Sequence, residues 1–412
     1  MPFYIEALDE KGYGLAYPYS DEHDRDEHAQ GAQVHRLQEG AAHRPKPVRI
    51  PFTLPGEVVN ALATRRREKG RAVYRLTDVL RPHSERVAAP CPHFGSCGGC
   101  MLQHMAYAEE MRYKRKRVQQ ATMRAGFSED LVEDVLGMND PWMYRNKMEF
   151  TFAPDGALGL NRLGDFRTVE PLSTCLIAQA EIVSVMKTVA QWAKAFKLSG
   201  YDKEQHTGFL RHIMVRKSAR GALLLALFAT EAPLLQTGVL RPDVQALLQQ
   251  LAAHEGLTTV VWYVFRGRAD RVGFDQRYIL KGEAYIEDEL LGLTYRLQPE
   301  TFFQTNALQA ERLLQVALEY ADVRASMQVI DLFSGVGTFT LPLAQQGEMA
   351  YGIEIVPRSV EKPSVMRKEI TSTMCVFLPA MCAARWTLCL RQAGAALIGS
   401  CLTLRVLGRA VK

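Results

Sequence analysis

Apolar and polar residues alternate in Val48-Arg49-Ile50-Pro51-Phe52, Glu57-Val58-Val59 and Ala72-Val73-Tyr74-Arg75-Leu76. A period of two, broken by Pro-Gly and basic turns, predicts short strands. Residues 1–18 read as strand and turn, with Gly12 and Gly14 punctuating an apolar stretch that ends in Tyr17-Pro18. Five strands of this kind suit a small oligonucleotide-binding barrel. The polar residues 19–47 interrupt them. They are rich in His, Asp, Glu, Gln and Arg, lack periodicity and read as a solvated insertion. His23, His28, His35 and His43 lie there without a repeating ligand spacing, so a solvated loop is favoured over a metal site.

Further along, the period lengthens. A helix is predicted from about Tyr107 to Met123, with Arg112, Lys114, Arg115, Lys116 and Arg117 on its surface. Residues 142–300 alternate between strands and helices. The strands are Lys147–Phe152, Ile213–Arg216 and Ala222–Phe228; the helices lie near Ala178–Phe196 and Pro242–His254. Residues 310–320 form an amphipathic helix. Val329–Phe333 is a short buried strand entering a glycine turn, and Ala350–Ile353 is the next strand. The class is α/β and multi-domain, and no internal repeat is visible.

Composition narrows the picture. The chain has 412 residues, enough for two or three domains. With 47% hydrophobic and 23% charged residues it can bury a core without disulfides. A net charge of +5 favours a polyanionic partner. There is no basic-then-apolar leader and no apolar run of about 18 residues. The expectation is a cytoplasmic monomer without a membrane partner, whose thiols stay reduced. The eight cysteines form two groups: Cys91, Cys97, Cys100 and Cys175, then Cys375, Cys382, Cys389 and Cys401.

Two segments carry candidate chemistry. In Cys91-Pro92-His93-Phe94-Gly95-Ser96-Cys97-Gly98-Gly99-Cys100, three thiols sit on a loop loosened by three glycines. Zinc or an iron–sulfur cluster accepts such a set, with Cys175 as a distant fourth. The spacing lacks the paired C-x-x-C knuckles of a zinc ribbon, which favours a cluster. The second segment is Val329-Ile330-Asp331-Leu332-Phe333-Ser334-Gly335-Val336-Gly337-Thr338-Phe339. A strand ends in an acid, and a Gly-x-Gly turn lets a ligand approach the backbone. The third glycine of the dinucleotide fingerprint is missing. Glu354 closes the next strand, where an acid takes both ribose hydroxyls of an adenosine. Together these features favour S-adenosylmethionine. Arg65, Arg66, Arg67, Lys69 and Arg71 crowd one loop, as a solvated turn or as an RNA phosphate contact.

The cysteine loop is followed by Tyr144-Arg145-Asn146-Lys147-Met148-Glu149-Phe150, Gly208-Phe209-Leu210-Arg211-His212, Pro299-Glu300-Thr301-Phe302-Phe303-Gln304-Thr305-Asn306 and the Asp331–Thr340 segment. In this order they resemble the RNA uracil-5 methyltransferases, and most closely the iron–sulfur branch acting on large-subunit ribosomal RNA. The likeness covers about Met1 to Val360, apart from the polar insertion. It implies a TRAM barrel over 1–84, a central α+β domain with the cluster loop over 85–297, the first part of a Rossmann-like methyltransferase domain over 298–360, and an atypical tail over 361–412. It implies that Cys91, Cys97, Cys100 and Cys175 hold a 4Fe-4S cluster and that Gln304, Phe333 and Glu354 contact S-adenosylmethionine. Thr338 stands where some relatives carry Asn.

In this family a cysteine thiolate adds to uracil C6, C5 attacks the sulfonium methyl, and a carboxylate removes the C5 proton. The family's Asp-Pro-Pro-Arg segment and its nucleophile in a Ser-Cys-Asn-Pro context do not occur here. Ser400-Cys401 is followed by Leu402. From Lys362 onward there is one acid, Glu369, against eight Lys or Arg. Only 57 residues follow Ile355, and each strand–helix unit needs roughly 30. No catalytic residue is assigned, and the tail reads like an altered reading frame. The expected alternative is a non-catalytic iron–sulfur RNA-binding protein; a zinc-binding RNA module is a third reading.

Overall fold

The computed structural model describes residues 1–19, 46–68, 70–268, 273–354, 365–366 and 375–379. The histidine-bearing insertion, apart from its ends, and Lys69 lie outside the described residues. So do Glu369, Cys382, Cys389 and Cys401. The chain divides into two compact units, one of Met1–Gly137 with Asn161–Phe166, the other of Met138–Leu160 with the residues from Arg167 onward.

In the first unit, β1 (Pro2–Leu8), β2 (Gly14–Pro18), β3 (Val48–Ile50), β4 (Val58–Glu68) and β5 (Arg71–Arg81) close a barrel in the order β1-β2-β3-β5-β4. Phe3, Ile5, Ala16, Ile50, Val59 and Ala61 fill it, as strand alternation requires. Arg49 departs from the alternation. It is buried, and its Nε meets Asp9 Oδ2 at 2.7 Å, which compensates the burial of both charges. Helix α1 (Tyr107–Arg124) follows the cysteine loop and buries none of its residues.

The second unit is built on a seven-stranded sheet. Its strands are β6 (Lys147–Phe152), β7 (Leu158–Arg162), β8 (Asp165–Pro171), β9 (Leu210–Lys217), β10 (Leu223–Ala229), β11 (Leu257–Val264) and β12 (Gln276–Lys281), in the order β12-β11-β10-β9-β6-β7-β8. β10 and β11 run parallel, with α3 (Pro242–Leu251) in the crossover between them. The sequence Leu-Leu-Leu-Ala-Leu-Phe-Ala of β10 is buried throughout, because both faces of this strand are covered. Helix α2 (Ala180–Ala195) buries Ile182, Val185, Met186, Val189 and Trp192, an apolar stripe at helical spacing.

Met214, Leu224, Ala226, Phe228, Val261 and Tyr263 share one core with the residues that follow the sheet. The hairpin β13 (Ile286–Leu290) and β14 (Leu293–Leu297) leads into α4 (Ala307–Ala321). Asn306 caps α4 by accepting from Gln309 N–H at 3.1 Å, so the helix starts three residues before the position its apolar period suggests. Then come β15 (Gln328–Leu332), α5 (Thr340–Gln346) and β16 (Met349–Glu354), with β15 and β16 parallel. In the tail, β17 (Val365–Met366) pairs with β14, and β18 (Cys375–Pro379) pairs parallel with β16. The tail expected to be atypical therefore contributes a third parallel strand.

Candidate functional site

The glycine turn leaves the carboxyl end of β15. Asp331 is buried there, and its Oδ2 accepts the Thr340 hydroxyl at 2.7 Å, tying the two ends of the turn together. Burial pushes the Asp331 carboxyl up to about 6; the Thr340 hydrogen bonds oppose this and the neighbouring Glu354 charge adds to it. Phe333 and Ser334 N–H both donate to the Ile353 carbonyl, at 2.9 and 3.0 Å. Glu354 Oε2 accepts Gly335 N–H at 2.9 Å, so the second acid braces the turn it faces.

Phe333 adopts φ 66°, a left-handed conformation that a bulky residue rarely takes. The residue is 68% exposed. A side chain at Gly335 would meet nothing within 4 Å, so the turn opens onto space. The Ser334 hydroxyl is buried and has no hydrogen-bond partner among the described residues. An exposed ring, a buried acid, an open glycine turn and an orphaned hydroxyl fit the adenosine end of S-adenosylmethionine.

Gln304, half-buried, sits on the Pro299–Asn306 loop of the same unit. Side chains from the seven-stranded sheet and its approach grip that loop. Asn146 Nδ2 donates to the Gln304 carbonyl at 3.2 Å, and Asn146 N–H to the Thr305 carbonyl at 2.9 Å. Arg216 donates to the Thr301 carbonyl at 2.6 Å. The Tyr263 hydroxyl donates to Glu300 Oε1 at 2.7 Å. Asn146 and Glu300 were in view in the sequence as parts of motifs. Arg216 and Tyr263 as loop partners were not, because nothing local marks them.

The cysteine loop belongs to the first unit and Cys175 to the second. All four thiols are half-buried. Cys97 Sγ accepts Gly99 N–H at 3.4 Å, the amide–sulfur bond a thiolate attracts, and Gln103 Oε1 accepts Cys91 N–H at 3.3 Å. The Phe94 ring packs on Phe52 and on the buried His104, with centroids at 4.8 and 5.7 Å. Burial, with Arg86 nearby, holds His104 neutral, down at about 4. Thiolates are the donors that an iron–sulfur cluster takes. Among the described residues no three His, Cys, Asp or Glu side chains converge as a metal site.

The basic surfaces are less open than the sequence suggested. On α1, Arg112 pairs with Glu109 at 2.6 Å, Lys114 with Glu110 at 2.6 Å and Arg115 with Asp134 at 2.8 Å, and Arg117 lies over the Tyr113 ring. On the β4–β5 hairpin, Arg66 is engaged by Glu68 and by the Tyr13 hydroxyl, whereas Arg65 and Arg75 are exposed.

The fold and this turn define a class I, S-adenosylmethionine-dependent methyltransferase. The family model of tRNA (uracil-5-)-methyltransferases matches residues 238–392, past the limit of 360 expected from the motifs. An uncharacterized RNA methyltransferase of Halalkalibacterium halodurans is 34% identical over 316 residues, covering 76% of this chain and 67% of that protein. One of Clostridium tetani is 32% identical, covering 73% and 65%. One of Caldanaerobacter subterraneus is 29% identical over 360 residues, covering 86% and 74%. This chain belongs to the RNA uracil-5 methyltransferase family, and it spans about two thirds of the length of several of these relatives. In fold it is similar to the crystal structure of the Pyrococcus abyssi tRNA (uracil-54, C5)-methyltransferase in complex with S-adenosyl-L-homocysteine. The TM-score is 0.64 at 20% identity, over 92% of this chain and 79% of that one. No helix among the described residues is long and apolar enough to cross a membrane.

Proposed function

We propose that this chain binds S-adenosylmethionine and large-subunit ribosomal RNA for methylation at C5 of a uridine. The observation that carries the reading is the turn after β15. There Glu354 braces Gly335, Ser334 keeps an unpartnered buried hydroxyl, and Phe333 exposes its ring from a strained backbone. In this reading Glu354 accepts the ribose hydroxyls, Phe333 lies against the adenine, and Gln304 meets the cofactor from the neighbouring loop. Bound S-adenosylmethionine supplies an electrophilic methyl group. The barrel, read as a TRAM domain, offers Arg65 and Arg75 to RNA phosphates. Cys91, Cys97, Cys100 and Cys175 would hold a 4Fe-4S cluster, whose role in this reading is to pin the glycine-rich loop.

The nucleophile and the base are not identified in this sequence, since no cysteine after Glu354 has the family's flanking residues. That favours a second reading, a non-catalytic RNA-binding protein that keeps the cofactor cradle. Transfer of labelled methyl from S-adenosylmethionine to unmodified ribosomal RNA separates the two. Under the second reading the chain binds both partners without turnover. Formation of 5-methyluridine in a single turnover shows that the chain holds a nucleophile after all.

A further inference from the structure

We infer that Arg216 is a positioning residue for the cofactor site: from within the seven-stranded sheet it holds the loop that carries Gln304. The inference rests on the reading of Gln304 as a cofactor contact. Arg216 lies on β9 and is 2% exposed. A buried guanidinium costs free energy unless its donors are satisfied. No ion pair of Arg216 with a carboxylate forms among the described residues. Asp288, Glu149 and Glu300 lie near enough to favour its charge, while burial draws it down to about 10, still cationic at neutral pH.

Its hydrogen bonds go to main chain. Nη2 donates to the Thr301 carbonyl at 2.6 Å and Nη1 to the Gln298 carbonyl at 3.4 Å. Both carbonyls lie outside any helix or strand, and that of Gln298 also accepts Thr301 N–H at 3.1 Å, so Arg216 braces a turn already closed on itself. A planar fork reaches two carbonyls three residues apart, which the single ammonium of lysine does not. The other fixed points are Asn146 at Gln304 and Thr305, and Tyr263 at Glu300. Between the grips, Phe303 is buried against Tyr295, with ring centroids 5.4 Å apart. Gln304 follows directly. Its backbone is therefore located by β9, β11 and the approach to β6, and the sheet is a working part of the cofactor site. Misplacing a contacting group by about 1 Å is enough to lose much of its contribution.

The test titrates S-adenosylhomocysteine calorimetrically into the full chain, as wild type, Arg216→Lys and Arg216→Met. Hydrogen exchange is followed on the same samples. Arg216→Met is expected to weaken binding about tenfold, the scale of a lost charge-assisted hydrogen bond. Arg216→Lys should recover part of the loss. Exchange should quicken at residues 299–306 and stay unchanged in β10 and β11, a pattern that general destabilisation does not give. If Arg216→Met fails to fold, Arg216→Lys carries the comparison. Folded variants that bind as tightly as wild type, or that leave exchange in the loop unchanged, overturn the proposal. A wild type that binds no S-adenosylhomocysteine overturns the cofactor reading itself, and this inference with it.

Discussion

Asn146 Nδ2 donates to the Gln304 carbonyl at 3.2 Å, joining two motifs that lie 158 residues apart in the chain. Asn146 is buried, and its N–H donates to the next carbonyl, that of Thr305. Removing the side chain leaves a half-buried carbonyl short of a donor. Asn146→Ala should cost about 1–3 kcal/mol of stability. It should also weaken cofactor binding more than an exposed control substitution of equal cost. Thermal unfolding with and without S-adenosylhomocysteine checks both.

Phe333 holds a left-handed backbone and is exposed, so its side chain adds little to the core. Glycine relieves that strain, so Phe333→Gly should stabilise the protein by about 1 kcal/mol, after the entropy of the unfolded glycine is set against it. The same change should weaken cofactor binding. Loss of stability together with unchanged binding would show that the ring packs and does not serve the cofactor.

How much of this was legible before the structure depended on distance along the chain. The Asp331–Gly337 turn and Glu354 could be read because the motif is local. β10 could be read because an unbroken apolar run needs no partner to be recognised. Arg49, Arg216 and Asp288 could not. Each is a charged residue at an inward position, where an alternation rule expects an apolar one, and each is stabilised by groups far away in sequence. The hairpin β13–β14 was missed partly for that reason, since Asp288 occupies a buried position of Ile-Glu-Asp-Glu-Leu. The cations of α1 were visible as charges, but their pairing with Asp134 and Glu85 depends on tertiary placement.

Asp331 gives the fold a pH dependence of known sign. Its folded carboxyl titrates at about 6, above the ordinary value of 3.8. The folded state therefore holds the proton more tightly than the unfolded chain. The stability this contributes is full below pH 4 and is lost as pH rises through 6. The loss amounts to about 3 kcal/mol, at about 1.4 kcal/mol per unit. Asp331→Asn keeps an acceptor for Thr340 and should flatten denaturant-derived stability between pH 4 and 7. Identical slopes in wild type and variant would contradict the assignment.

The cysteine loop makes a compositional prediction. Protein purified without oxygen should be brown, with about four irons per chain from one 4Fe-4S cluster. Cys97→Ser should lose the colour, and the loop should become protease-sensitive, since ligation and local folding are coupled. Colourless wild-type protein carrying zinc would sink the cluster proposal and leave the methyltransferase fold untouched.

Equilibrium dialysis of labelled S-adenosylmethionine against the full chain tests the central claim, that the turn after β15 is a cofactor cradle. One molecule should bind per chain, and Glu354→Gln should weaken binding about tenfold, as expected when an acceptor for ribose hydroxyls loses its charge. No binding to wild type, or equal binding to wild type and Glu354→Gln, would contradict it.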